Sequence, residues 1–332
     1  MKEETKKTIG VVGMGPVGQI LAVYLKEAGC NVVLCDRGKE KINLIRKEGI
    51  TLEGVIRKHA YFKNVFTSMD DLMVQKPEIL FFAVKAHHMP SLLAPFKELA
   101  EATKMSIVSA QNGIDVEQIA SETFGESQTL RMVLNFAGNL HAPNVVNVTF
   151  FNPPNYIASV DDSKIDVAKW IASTLSEVSL DTEALSSFRI TDKIWEKTIL
   201  NAAMSPLCGI SKLTISEAMN FADAIEIVEQ IIMEGIEVAK AEEIKFPENF
   251  VKLCMRYLKR AGNHFPSLAV DMINNRETEI DYFNGRIVEY GKKHYIRTPL
   301  NLTFTNLVKA ASYRNTLTQQ HRKSFNETIA DI

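Results

Sequence analysis

Five short apolar runs alternate with segments of helical period through the first half of the chain, and this alternation limits the fold more than any other feature. The runs are residues 8–13 (TIGVVG), 31–35 (NVVLC), 78–84 (EILFFAV), 106–110 (SIVSA) and 129–135 (TLRMVLN). Their centres are β-branched and, apart from Arg131, uncharged, the pattern of strands buried on both faces of a parallel sheet. Residues 16–28, 39–47, 87–101 and 114–124 lie between them with apolar positions at helical spacing. Residues 144–159 read as extra strands around a proline-marked turn, and 163–178 as a closing helix. From about residue 187 the period is helical, at 188–206, 214–243, 247–260, 279–293 and 299–312. The expected class is therefore α/β: an N-terminal Rossmann-type doubly wound parallel sheet over residues 1–187, then an all-helical domain over 188–332.

A chain of 332 residues with 46% hydrophobic content has material for two globular domains. Its formal net charge of −2 offers no general field for nucleic acid or an anionic membrane. A small-molecule partner is expected instead. Apolar runs such as ILFFAV fall well short of the roughly 20 residues a membrane helix needs, and the opening MKEETKK has no apolar signal region. These features set the expectation of a cytoplasmic chain. Cys30, Cys35, Cys208 and Cys254 fit no zinc spacing and read as reduced core thiols, with no metal expected.

Three glycines within six residues are costly in backbone entropy unless the chain must turn tightly or approach something closely. Gly13, Gly15 and Gly18 form G-x-G-x-x-G between the first strand and the first helix. That context is the one in which a dinucleotide pyrophosphate sits on a helix N-terminus, with Met14, Pro16 and Val17 completing the turn. The second strand ends in Asp36 and Arg37. A carboxylate there suits the ribose hydroxyl of NAD, and a guanidinium suits the 2′-phosphate of NADP.

In the helical half, IWEKTILNAAMSPL places Lys197, Asn201 and Ser205 four residues apart, within roughly 80° of one helix face. A second segment, residues 265–285, is dense in polar groups: Ser267, Asp271, Thr278, Glu279, Asp281 and Asn284. Taken singly, such residues are ordinarily a solvated lysine and helix caps.

Taken together and in order, the glycine turn, AVKAHH, AQNGID, the lysine helix and RETEIDYFNG resemble the ketopantoate reductase family over nearly the whole chain. The resemblance implies reduction of 2-dehydropantoate to pantoate with NADP(H), with NAD(H) admitted by Asp36, feeding pantothenate and coenzyme A synthesis. It implies Lys197 as proton donor to the carbonyl oxygen during hydride transfer, and Glu279 as the carboxylate that positions the substrate hydroxyl and borders the cofactor. Asn201 and Ser267 match substrate-binding positions, Ser267 facing the carboxylate. Asn112 matches a residue between nicotinamide and substrate, and Lys85 a cofactor-side lysine. The site is then expected in a cleft between the domains, in a chain compatible with a homodimer. Ser205 departs from the asparagine common in the family, and a hydroxyl cannot reproduce an amide's donors and acceptor at the far end of the substrate. A reductase of another 2-keto acid, or of an opine-type imine, is the alternative. A dinucleotide-binding sensor would need the glycine turn but neither Lys197 nor Glu279.

Overall fold

The computed structural model describes residues 6–96 and 104–330, the side chains of 316 and 318–330 excepted. The chain divides into two compact units, with the boundary between Ile194 and Trp195.

The first unit is built on β1 (Thr8–Val12), β2 (Asn31–Cys35), β3 (Ile50–Gly54), β4 (Lys58–Ala60), β5 (Asn64–Phe66), β6 (Ile79–Phe82), β7 (Ser106–Ser109), β8 (Thr129–Val133), β9 (Phe136–Ala142), β10 (Val145–Phe151), β11 (Asn155–Ser159) and β12 (Thr182–Ala184). Eight of them make one sheet in the order β12-β11-β8-β7-β6-β1-β2-β5. From β5 to β8 the pairing is parallel; β11 then runs antiparallel to β8. Strand residues alternate between two cores, as a period of two requires. Ile9, Val11, Val32, Leu34 and Phe81 enter one, while Val12, Val33, Cys35, Leu80 and Phe82 enter the other. All four cysteines are free and buried.

Helices Pro16–Glu27, Lys39–Glu48 and Val116–Phe124 match helices expected between the strands, and Ile165–Ser176 matches the expected closing helix. The helix expected at 87–101 is instead a 3-10 turn Ala86–His88, a short helix Met89–Leu93 and a second 3-10 turn Ala94–Phe96. Pro90 and Pro95 bring no backbone donor and disfavour helical geometry in the residue before them. Residues 97–101 of that expectation, and the first five of the chain, lie outside the described residues. A small second sheet, β4-β3-β10-β9, stands beside the main one, and of its strands the sequence pattern marks only β10. It is tied by a long-range contact, the Asn144 side-chain amide donating to the Gly49 carbonyl at 3.0 Å.

The second unit is helical in its described residues: the long helix Ser187–Ser211, which begins in the first unit, then Ile215–Ala218, Ala222–Ala241, Phe250–Arg260, Ser267–Ile273, Asn284–Lys293 and Pro299–Ala330. The single helix expected at 214–243 is two, the first opened by a Thr214–Glu217 capping box. Ser267–Ile273 was concealed by the polar density around it. Two glycines bring helices close to the long one. A Cβ at Gly235 would lie 2.9 Å from Ile199 Cγ1, and one at Gly209 would overlap Met272 Sδ.

Candidate functional site

In the first unit, Gly13, Asp36, Lys85 and Asn112 follow the C-terminal ends of β1, β2, β6 and β7, four strands adjacent in the sheet. The chain runs outward from β1 to β2, then returns to β6 on the other side of β1. The C-terminal edge at such a reversal is where doubly wound sheets bind ligands.

The three glycines serve different ends. Gly13 has φ 94°, and a Cβ there would lie 2.7 Å from Val84 Cγ1 and 2.8 Å from the Val84 amide nitrogen. A Cβ at Gly18 would overlap the Gly13 carbonyl oxygen. The fold itself therefore requires both. Gly15 has an ordinary φ of −74° and no heavy atom within 4 Å of where its Cβ would stand. It is the N-cap of helix Pro16–Glu27, which has no side-chain cap and no acidic residue in its first turn. Uncapped amides beside open space fit a pyrophosphate, which would take both the donors and the helix dipole. Met14 is buried, while Pro16 and Val17 are half-buried along this turn.

Asp36 braces the same turn. Its Oδ2 accepts from the Met14 amide at 2.7 Å and from Lys41 Nζ at 3.2 Å, and its Oδ1 accepts from the Gly38 amide at 2.8 Å. Arg37 beside it is exposed. Buried Gln19 ties the turn from within, its Nε2 donating to the Met14 carbonyl at 2.9 Å and the Pro143 carbonyl at 2.8 Å. Neither Lys41 nor Gln19 belongs to a motif of the sequence, although Lys41 sits one helical turn beyond the Asp36-Arg37 pair. Half-buried Lys85 is the N-cap of the 3-10 turn Ala86–His88 and adjoins Val84, the residue against Gly13.

In the second unit, Lys197, Asn201 and Ser205 lie along helix Ser187–Ser211. Lys197 and Asn201 are half-buried, and Ser205 is 1% exposed. The helix continues through Pro206 instead of ending there. Proline has no N–H, so the Ala202 carbonyl one turn back loses its helical donor. The side-chain amide of Asn284 replaces it, donating to that carbonyl at 3.0 Å, and also donates to Asn301 Oδ1 at 3.0 Å. This bond fastens the RETEIDYFNG segment to the lysine helix between Asn201 and Ser205. Glu279, 5% exposed, is the N-cap of the 3-10 turn Ile280–Tyr282 in the same segment. Ser267 is exposed and opens the helix that meets the long helix at Gly209. Thus Lys197, Asn201, Ser205, Ser267 and Glu279 all stand on the long helix or on elements packed against it. Asn284, one polar residue among several in its segment, is the group that joins the Glu279 segment to the long helix.

Among the described residues no helix is long and apolar enough to cross a membrane. The glycine turn, the sheet edge and the helical second unit define a protein with an N-terminal Rossmann-type domain and a helical C-terminal domain. Residues 9–161 match the family model described as ketopantoate reductase PanE/ApbA, and residues 189–312 match ketopantoate reductase PanE/ApbA C terminal. The chain belongs to the ketopantoate reductase family. It is 25% identical to the 2-dehydropantoate 2-reductase of Streptococcus pyogenes serotype M3 over 302 residues, 90% of this chain and 96% of that protein. Its fold superposes on D-mandelate dehydrogenase, solved with NADH and anilino(oxo)acetate, with a TM-score of 0.81, 26% identity and coverage of 93% and 99%. A PanE/ApbA family ketopantoate reductase from Ralstonia eutropha JMP134 shares the fold at a TM-score of 0.80, with 23% identity and the same coverage.

Proposed function

We propose that the chain is an NADPH-dependent 2-dehydropantoate 2-reductase, forming pantoate for pantothenate and coenzyme A synthesis in the cytoplasm. The observation that carries the reading is the attachment of the Glu279 segment, through Asn284, to the helix bearing Lys197 and Asn201. Gly13, Gly15 and Gly18 would hold the pyrophosphate, with Met14, Pro16 and Val17 around it and Lys85 and Asn112 further along the sheet edge. Reduced nicotinamide supplies hydride when bound. Lys197 holds a proton for the carbonyl oxygen and offsets the charge that develops there. Glu279 orients the substrate hydroxyl, Asn201 binds the substrate and Ser267 takes its carboxylate. Preference for NADPH follows from exposed Arg37 and from the commitment of the Asp36 carboxylate to Met14, Gly38 and Lys41.

The likeness to D-mandelate dehydrogenase, with serine at 205 in place of an amide, supports a second reading: a reductase of a 2-keto acid whose far end is apolar. Steady-state oxidation of NADPH and NADH against a panel of 2-keto acids separates the two. The first reading expects the highest kcat/KM with 2-dehydropantoate and NADPH. An aromatic 2-keto acid preferred by ten-fold or more would establish the second.

A further inference from the structure

Arg131 interrupts an otherwise apolar strand, yet it is 3% exposed at the centre of β8. A guanidinium in that position must find acceptors inside the protein, because its desolvation is otherwise uncompensated. It finds them beyond the end of β7. Nη1 donates to the Gln111 carbonyl at 2.5 Å, and Nη2 donates to the Gly113 carbonyl at 2.9 Å. On its other side Nε lies 3.3 Å from Glu117 Oε2, in the first turn of helix Val116–Phe124. The two carbonyls flank half-buried Asn112. The loop is sharply turned, with φ 114° at Gly113 and 61° at Asp115, and the Ser109 hydroxyl donates to Gln111 Oε1 at 2.6 Å.

We infer that Arg131 is a positioning residue for Asn112. The Gln111 carbonyl belongs to the peptide that enters Asn112, and the Gly113 carbonyl lies just past the peptide that leaves it. A planar fork bound to both fixes the backbone on either side and so sets the direction of the Asn112 amide. Glu117 balances the charge and holds the fork from behind. The inference rests on the proposed function, in which Asn112 stands between nicotinamide and substrate.

Arg131→Lys keeps the charge and loses the fork. The test measures kcat and KM for 2-dehydropantoate, and the Kd of NADPH by calorimetry, in wild type, Arg131→Lys, Asn112→Ala and the double variant. Arg131→Lys is expected to lower kcat by roughly 10-fold or more, as small misplacements of catalytic groups do, with the Kd of NADPH unchanged. In the Asn112→Ala background the same substitution is expected to change kcat by less than about twofold, because its effect passes through Asn112. An equal loss of kcat in both backgrounds, or a loss confined to thermal stability, overturns the inference. If Arg131→Lys does not fold, Glu117→Gln takes its place: a smaller kcat loss that vanishes with Asn112→Ala supports the inference, and one that persists overturns it. A folded wild type that binds no NADPH and reduces no 2-keto acid overturns the proposed function, and this inference with it.

Discussion

The carboxylate of Asp36, at the end of β2, accepts a hydrogen bond at 2.7 Å from the amide of Met14 in the turn that follows β1. The acidic residue that sequence reasoning assigned to the cofactor's ribose is therefore also a brace for the loop that would hold its phosphates. Asp36→Ala should weaken both NADPH and NADH by about 1.5–3 kcal/mol, the scale of a lost hydrogen bond to a charged group. Arg37→Ala should weaken NADPH alone, by about 2 kcal/mol or some 30-fold. Calorimetric titration with each cofactor checks both, and an Asp36→Ala variant that loses only NADH would deny the brace.

Gly15 and Gly18 make opposite demands. Gly15→Val adds a side chain to open space at a permitted φ, so the melting temperature should hold while dinucleotide affinity falls at least about tenfold, roughly 1.4 kcal/mol. Gly18→Ala drives a methyl into the Gly13 carbonyl and should destabilise the fold by about 3 kcal/mol. Thermal melts paired with cofactor titrations distinguish the two, and equal destabilisation would remove Gly15 from the ligand's side of the turn.

Asn284 replaces the donor that Pro206 lacks. Asn284→Ala leaves the Ala202 carbonyl without that bond and should cost about 1–3 kcal/mol. Pro206→Ala restores a backbone amide one turn from that carbonyl, so the same substitution in a Pro206→Ala background should cost clearly less. Denaturant unfolding of the four proteins measures the coupling. Additive losses would show that the two residues do not share the carbonyl.

The strands of the main sheet were legible because both of their faces are buried, leaving apolar runs such as ILFF with no competing pattern. The glycine turn was legible for a related reason, since Gly13 and Gly18 are imposed by contacts between neighbouring elements. The second sheet was not, because β9 (FAGNLHA) is short of β-branched residues and takes its strand form from β10, and β10 in turn pairs with β3, about 95 residues earlier. Pro206 misled for the same reason: a local rule ends the helix there, and a side chain from Asn284 allows it to continue. The candidate site residues of the helical half carry little signal of their own. Lys197 and Glu279 have the composition of a solvated helix and a cap, and only the order of several motifs pointed to them.

Burial lowers the pKa of His264 from its ordinary 6.5 by desolvating the charged form. Below pH 6.5 the unfolded chain therefore binds this proton before the folded one does. The stability this group contributes is full above that pH and is lost as pH drops toward the folded value. Melting temperatures from pH 5 to 8 should decline on the acid side in wild type and decline less in His264→Asn. Identical profiles would assign the acid sensitivity to other groups.

The central claim is that Lys197 supplies the proton in the reduction of 2-dehydropantoate. Its most direct test is kcat/KM for that substrate with NADPH in wild type and Lys197→Met, with cofactor affinity measured alongside. General acid catalysis is worth about 10²- to 10⁴-fold, so the variant should lose roughly 3–5 kcal/mol of transition-state stabilisation while binding NADPH as wild type does. Turnover within a factor of about three of wild type, under 1 kcal/mol, would contradict the assignment and leave Lys197 as a solvated residue of its helix.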